Sequence, residues 1–299
     1  MKVFITGATG YVGSHVALAL SRAGHEVFGL VRSEEKAKGL AKQEVTPVMG
    51  NLQEPESYIP VAEQCSALIH AAVDGHGDKV GLEKKTVESL LRAAKHGPQP
   101  KKFLYTSGVW IYGNTAERLV DETTPVAPPT FVVWRPGVEQ MVLKASHVKS
   151  LVLRPGCVYG KQAGLTGHWF TGAYKEKALR VVGDGNNRWA MIHADDLAEG
   201  YLRAVESGYS GEVFNFTDRS RATIREMASA AGRAAGYTGQ IEFVPVSEAA
   251  KAMGADAECL ALDQHVDSRK AVNLLGWQPR HGGFVDAAHA LFAAWKAHS

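Results

Sequence analysis

No run of about 18 consecutive apolar residues occurs in the chain, so no segment reads as membrane-spanning. Only three cysteines are present, Cys65, Cys157 and Cys259, too few and too scattered for a disulfide framework or a zinc site. That scarcity fits a reducing compartment, and a cytoplasmic protein without a bound metal is expected. Lysine and arginine never form a long run and the formal net charge is only +2, which leaves no electrostatic footprint for nucleic acid or an anionic membrane. The first apolar stretch, VFIT, stops at Gly7 without the charged flank or cleavage site of a signal peptide and reads as a strand. Small-molecule chemistry is what these absences leave.

What is present is enough apolar material for a full-sized core, with 45% of the 299 residues hydrophobic. From residue 2 to about residue 156, short β-rich runs alternate with helical spacing such as TVESLLRAAKHG. The runs are KVFIT, HEVFGLV, VTPVMG, ALIHAA, KKFLYTS and SLVLRPG. Such a βαβ series predicts an α/β fold with a doubly wound parallel sheet. Beyond Gly160 the pattern loosens into a glycine-rich segment. It then returns to a strand at GEVFNFT and to helices around IREMASAAGRAAG and FVDAAHALFAAWKAH. The expected division is a sheet-bearing unit of residues 1–156 plus about 190–219, and a smaller C-terminal substrate-binding lobe of about 157–189 plus 220–299.

The sharpest motif is ITGATGYVGSHVALAL, where Gly7, Gly10 and Gly13 follow a predicted strand and open a predicted helix. Glycines there permit a tight turn, close approach of backbone N–H groups to a pyrophosphate, and close packing of helix on strand, with the helix N-terminus favouring the anion. The sheet-bearing unit is therefore expected to be a Rossmann domain holding a dinucleotide, with a purely structural turn as the alternative. An NAD site usually carries Asp or Glu about 20 residues further on, but the second strand here ends in LVRSEEK, with Arg32 and Ser33 in that place. A guanidinium can fork onto a 2′-phosphate that a carboxylate would repel, so NADP(H) is favoured, with Lys36 adding charge. The alternative is that Arg32 is a solvated charge and Glu34 or Glu35 serves NAD. Asn51, ending the third strand, can meet adenine or simply make a turn.

Taken together, these segments resemble the extended or atypical short-chain dehydrogenase/reductase family over nearly the whole chain. TGATGYVG resembles that family's TGxxGxxG, IHAA at 69–72 its fourth-strand motif, YTSGVWIYG at 105–113 its fifth-strand motif, and LRPGCVYG at 153–160 its R-P-x-x-V-Y-G. GDGNNRWAMIHADDLAEGY at 183–201 and DSRKAVNLLGWQP at 267–279 complete the set. The resemblance implies that the cofactor meets Gly7, Thr9, Gly10, Tyr11, Val12 and Gly13 in the first turn, and Arg32, Ser33, Asn51 and Leu52 at the second and third strands. It further implies Ala71, Ala72, Thr106, Arg135, Pro155 and Gly156.

The family's hydride chemistry rests on an Asn-Ser-Tyr-Lys group, in which the Tyr protonates the carbonyl oxygen, the Ser or Thr hydrogen-bonds it, and the Lys holds the nicotinamide ribose. Carried over position by position, the Ser falls on Gly108, the Tyr on Phe131, the Lys on Arg135 and the Asn on Glu83, so all four depart. Arg135 can still donate to ribose hydroxyls but cannot shuttle protons near neutral pH. Pro136 disfavours helical geometry at Arg135, so the helix is expected to start at Pro136 and Phe131 to lose the shared face with Arg135. Tyr112, with Ser107 beside it, is the leading candidate for a replacement proton donor, against the reading that its ring packs under the lobe. Asp74 and His76, after the fourth strand, are weaker candidates. Trp110, Trp134 and Trp169 read as pocket or core.

Arg188 resembles the arginine that grips a substrate phosphate in nucleotide-sugar epimerases, but Trp189 follows where Asp is usual. A flatter or more apolar ligand is therefore expected. Asp195-Asp196 read as a helix N-terminal cap. Three functions stay open: an NADP(H)-dependent reductase or dehydrogenase of a small apolar carbonyl, enone or imine; an epimerase or dehydratase of a modified sugar; and an NADP-binding protein without redox turnover. The expected partner is a small-molecule substrate, with a homodimer possible.

Overall fold

The computed structural model describes residues 1–73, 77–161 and 164–298. In chain order its strands are β1 (Lys2–Thr6), β2 (Glu26–Val31), β3 (Thr46–Met49), β4 (Ala67–His70), β5 (Lys102–Thr106), β6 (Leu119–Val120), β7 (Lys149–Pro155), β8 (Cys157–Tyr159), β9 (Leu179–Val182), β10 (Met191–His193), β11 (Glu212–Phe216), β12 (Ile241–Val244) and β13 (His265–Val266). The helices are α1 (Tyr11–Arg22), α2 (Glu34–Ala41), α3 (Ile59–Ala62), α4 (Lys79–Ala94), α5 (Arg135–Leu143), α6 (Gly167–Thr171), α7 (Ala194–Glu206), α8 (Ile224–Ala234), α9 (Val246–Met253), α10 (Asp256–Leu260), α11 (Arg269–Leu275) and α12 (Phe284–His298).

Seven strands form one parallel sheet in the order β3-β2-β1-β4-β5-β7-β11. The central strands are almost wholly apolar because helices cover both faces, as in β4, where all four residues are buried. On one face α1, α2 and α7 pack through Val16, Leu20, Leu40 and Leu197. On the other, α3, α4 and α5 pack through Tyr58, Leu90, Val138 and Val142. The chain reverses its winding between β1 and β4, and in such sheets ligands sit beyond the strand ends at that reversal. The doubly wound sheet expected from the βαβ pattern is thus the fold.

The smaller C-terminal region has its own core, where Trp169, Phe170, Met227, Phe284 and Trp295 meet. Its strands are short parallel pairs, β8 with β10, β9 with β12 and β6 with β13. Helix α8 is started by a reciprocal capping box between Thr223 and Glu226. Among the described residues no helix is long and apolar enough to cross a membrane.

A buried ion pair ties α5 to the sheet. Arg154 on β7 forks onto Glu139 on α5, with Nε 2.9 Å from Oε1 and Nη2 2.6 Å from Oε2. Its Nη1 donates to the Tyr112 hydroxyl at 2.7 Å, which in turn donates to Asn215 Oδ1 on β11 at 2.9 Å. Removing one partner strands a buried charge. Glu139→Gln is therefore expected to cost about 3–5 kcal/mol in urea unfolding, whereas Glu139→Leu with Arg154→Met costs far less. Equal losses in the two variants would show that the ion pair is not what holds α5.

Candidate active site

The β1–α1 turn can only be built from glycine. Gly7 lies at φ +78, and a Cβ there would sit 2.7 Å from the backbone of Ala71 and Ala72. A Cβ on Gly13 would come within 2.1 Å of the Gly7 carbonyl oxygen. The turn is pressed against the end of β4, and the N-terminus of α1 opens onto a cavity of about 380 Å³. Gly7, Thr9 and Gly10 form its floor, Ala71 and Ala72 one wall, and Arg32, Lys36, Asn51 and Leu52 the other. A cradle that a Cβ would fill, beside two cationic side chains, fits the adenosine diphosphate end of a dinucleotide. Three of the residues expected to meet the cofactor also have structural work. Ser33 caps α2, its Oγ accepting from the Lys36 amide. Asn51 Oδ1 makes a turn with the amides of Gln53 and Glu54. Gly13 serves the close packing of α1 on its turn.

Across Tyr11 and Val12 lies a second cavity of about 400 Å³, bounded by Ser107, Gly108, Phe131, Arg135, Pro155 and Gly156. Phe131 and Arg135 face it together, which overturns the expectation that Pro136 separates them. A 3-10 turn over Thr130–Val132 leads through Val133 (φ −56, ψ −25) and Trp134 (φ −77, ψ −23) into α5, so the chain stays helical throughout. The helix starts at Arg135, and Pro136 in its first turn lacks only an N–H that would have no intrahelical partner. Arg135 stacks on Trp134 at 5.0 Å and donates from Nη1 to the Thr106 carbonyl at 3.5 Å. Its Nε and the Ser107 Oγ are buried without a hydrogen-bond partner among the described residues. The Phe131 ring lies between the edge of Trp110, at 6.1 Å, and the Lys79 ammonium, at 5.6 Å.

Tyr112 borders neither cavity. It is only 3% exposed and its hydroxyl is committed to Arg154 and Asn215. Burial raises its pKa, only partly offset by the Arg154 charge. The reason is topological: β5 and β7 are neighbours, so the turn after β5 delivers Tyr112 to the Arg154 side of the sheet. Thr106 likewise spends its hydroxyl on Tyr201, at 2.6 Å, and offers only its carbonyl. Asp74 and His76 lie outside the described residues. Glu83 is buried under the strand ends, accepting from Tyr105 at 2.9 Å and meeting His70 Nε2 at 3.2 Å. Burial pushes its carboxyl up, but His70, Tyr105 and Arg135 more than offset this and hold it below its usual range. Cys157 borders the second cavity as an inert thiol, pushed up to about 12 by burial.

A third cavity of about 320 Å³ shares Trp110 and Leu165 with the second and is walled by Trp169, Trp189, Ile224 and Leu260. Trp169 and Trp189 stack at 5.4 Å. Of its polar neighbours, Arg180 is paired with Glu242, and burial lowers the pKa of His168, which favours its neutral form. Arg188 does not border this cavity, because Trp189 takes the inward position. These walls come from segments far apart in sequence, and no local signal marked Leu165, Ile224 or Leu260. At the start of α7 the cap is His193, whose Nδ1 accepts from the Asp195 amide. Asp195 instead pairs with His15 at 3.0 Å and Lys161 at 2.8 Å, and Asp196 with His281 at 3.0 Å. His193, Asp195 and His281 lie close enough together to share a cation, although Asp195 is already held by two cationic neighbours.

A model of the NAD dependent epimerase/dehydratase family matches residues 3–216. Among curated relatives, 4-hydroxy-2-methyl-3-oxo-4-farnesyl-3,4-dihydroquinoline-1-oxide ketoreductase of Stigmatella aurantiaca is 27% identical, covering 83% of this chain and 78% of its own. Two solved structures share the fold at lower identity. Human epimerase family protein SDR39U1 with NADPH has a TM-score of 0.80 at 23% identity, covering 98% of this chain and 99% of its own. UDP-glucuronic acid 4-epimerase from Bacillus cereus with UDP-glucuronic acid and NAD has a TM-score of 0.82 at 21% identity, with both chains covered completely.

The two kinds of glycine separate by substitution. Gly108 is extended, at φ 174, and a Cβ there would meet nothing closer than 3.8 Å, so Gly108→Ala is expected to be neutral or to stabilise by up to about 1 kcal/mol. Gly13→Ala is expected to cost about 1–3 kcal/mol in thermal unfolding and to abolish nucleotide binding. A Gly13→Ala protein of wild-type stability and affinity would show that the turn is not the cradle described.

Proposed function

Because the chain belongs to the NAD-dependent epimerase/dehydratase family, we propose that it is an NADP(H)-dependent oxidoreductase acting on a small apolar carbonyl, enone or imine without a tyrosine acid. When bound, the nicotinamide supplies the hydride. The rest falls to this chain's residues. Arg32 and Lys36 receive the 2′-phosphate, and the β1–α1 turn receives the pyrophosphate. Arg135 holds ribose hydroxyls as a fixed charge. Ser107 Oγ, buried and without a partner among the described residues, donates to the substrate oxygen. The proton comes from water or from the substrate, and positioning beside the hydride donor carries much of the rate.

The observation that carries this reading is the joint placement of Arg135, Ser107 and Phe131 around one cavity that continues into tryptophan walls. It supports an intact cofactor seat, an oxygen-binding donor and an apolar substrate, while the tyrosine at its border, Tyr11, spends its hydroxyl on the Gly160 carbonyl at 2.6 Å. The Stigmatella relative, named for the ketone of a farnesyl-bearing quinoline oxide, accords with an apolar substrate. A sugar nucleotide is disfavoured because Arg188 stands outside this cavity. In this reading residues 1–156 with about 190–219 bind the nucleotide, and about 157–189 with 220–299 enclose the substrate.

Nicotinamide fluorescence titrations are expected to give NADPH the tighter binding. Arg32→Ala should weaken NADPH by about tenfold to a hundredfold and leave NADH nearly unchanged, since a charged hydrogen bond carries about 1.5–3 kcal/mol. Tighter NADH would overturn the assignment. In NADPH turnover on a ketone panel, Phe131→Tyr alone is expected to change the rate little. Gly108→Ser with Phe131→Tyr and Arg135→Lys should raise it by about 10² or more. A gain of that size from the single change would show that a tyrosine was the only element missing.

A further inference from the structure

Behind Trp189, on the side away from the substrate cavity, lies a cleft of about 470 Å³ that the proposed reaction does not use. Four arginines line it, Arg188, Arg219, Arg221 and Arg269. Arg269 is paired with Asp267. Arg188 donates from Nε to the Arg221 carbonyl at 3.2 Å, and Arg221 Nη1 lies 3.5 Å from His265 Nδ1. Among the described residues, none of Arg188, Arg219 and Arg221 has a carboxylate within 4 Å, and only the Glu226 carboxylate acts on Arg188 from further away, so three guanidinium groups face one cleft outside any ion pair.

The amide of Gln264, deeper in the cleft, has the opposite need. Gln264 is only 3% exposed, and its Nε2 donates to the carbonyls of Val109 and Gly113, both at 2.9 Å. Those two bonds fix the orientation of the amide and leave Oε1 buried as an acceptor with no donor among the described residues. Asp218, by contrast, is satisfied, with Oδ1 accepting from the amide and hydroxyl of Ser220 and its carboxylate also meeting the Tyr159 hydroxyl. A buried polar atom left unmatched is destabilising, and a ligand able to donate there would remove that cost. An inorganic anion would answer the arginines only, and an apolar molecule would answer neither set.

We propose that this cleft binds a phosphate ester carrying free hydroxyls, with the phosphate on Arg188, Arg219 and Arg221 and a hydroxyl donating to Gln264 Oε1. Trp189 borders both this cleft and the substrate cavity, where it stacks on Trp169. Occupancy therefore alters the environment of that tryptophan pair. The assignment does not depend on the redox reading, since no residue is shared with the nucleotide cavity.

The test is a titration of the full chain with ribose 5-phosphate and, separately, inorganic phosphate, followed by tryptophan fluorescence and calorimetry, with and without saturating NADPH. One saturable site is expected, at least about tenfold tighter for ribose 5-phosphate, and present with or without NADPH. Arg219→Gln with Arg221→Gln, both exposed positions, should weaken it about tenfold or more, and Arg32→Ala should leave it unchanged. Equal affinity for the two probes would overturn the hydroxyl assignment. Absence of saturable binding, or binding lost in Arg32→Ala and retained in the double variant, would overturn the site.

Discussion

The fork of Arg154 on Glu139 is the constraint on which the rest of the site depends. It crosses from the sheet to α5, and α5 begins with Arg135, which borders the second cavity. With Glu139 fixed, the helix is held one turn beyond Arg135, and the 3-10 turn before it brings Phe131 to the same wall. A pre-proline position in a helix is unfavourable in isolation, but a buried, bidentate, charge-assisted contact outweighs a local preference of that kind. The same guanidinium takes the Tyr112 hydroxyl. The interaction that preserves the geometry of the active site therefore also removes Tyr112 from the chemistry.

What remains around the cavity is a set of groups held in one protonation state, among them Tyr11, whose hydroxyl donates to the Gly160 carbonyl at 2.6 Å and whose pKa is raised by burial. Arg135 stays charged and Phe131 has no proton. Ser107 is a donor without titrating, and the Cys157 thiol is held protonated by burial. Beneath them, Glu83 is kept ionised by His70, Tyr105 and Arg135 against the cost of its burial. It meets the positive charge of Arg135 from below, much as a counter-ion would, and does not itself border the cavity. Such a site can orient a cofactor and polarise a carbonyl, and electrostatic preorganisation of this kind is compatible with hydride transfer when water closes the proton balance.

Some of this was legible from residues alone. Gly7 and Gly13 announce themselves because only a hydrogen side chain fits where β1, α1 and β4 converge, and Arg32 because its place follows from the length of one βα unit. The replacement of the expected Tyr and Lys by Phe131 and Arg135 could be read by motif position. The sequence could not reveal where Tyr112 points, since its partner Arg154 lies on a strand that becomes adjacent only when β7 enters beside β5. Nor could it reveal the third cavity, whose walls meet through packing of the C-terminal region. The reading of Pro136 failed because a local backbone rule was applied where a tertiary contact decides.

The central claim is that hydride transfer here proceeds without a titrating side-chain acid. The most direct measurement is the pH dependence of single-turnover NADPH oxidation with a reactive ketone between about pH 7 and 10, the range in which a catalytic tyrosine or lysine would titrate. The account predicts a flat profile. A rate that falls through one apparent pKa within that range would contradict it, and loss of that fall in the Tyr112→Phe or Tyr11→Phe protein would identify the acid.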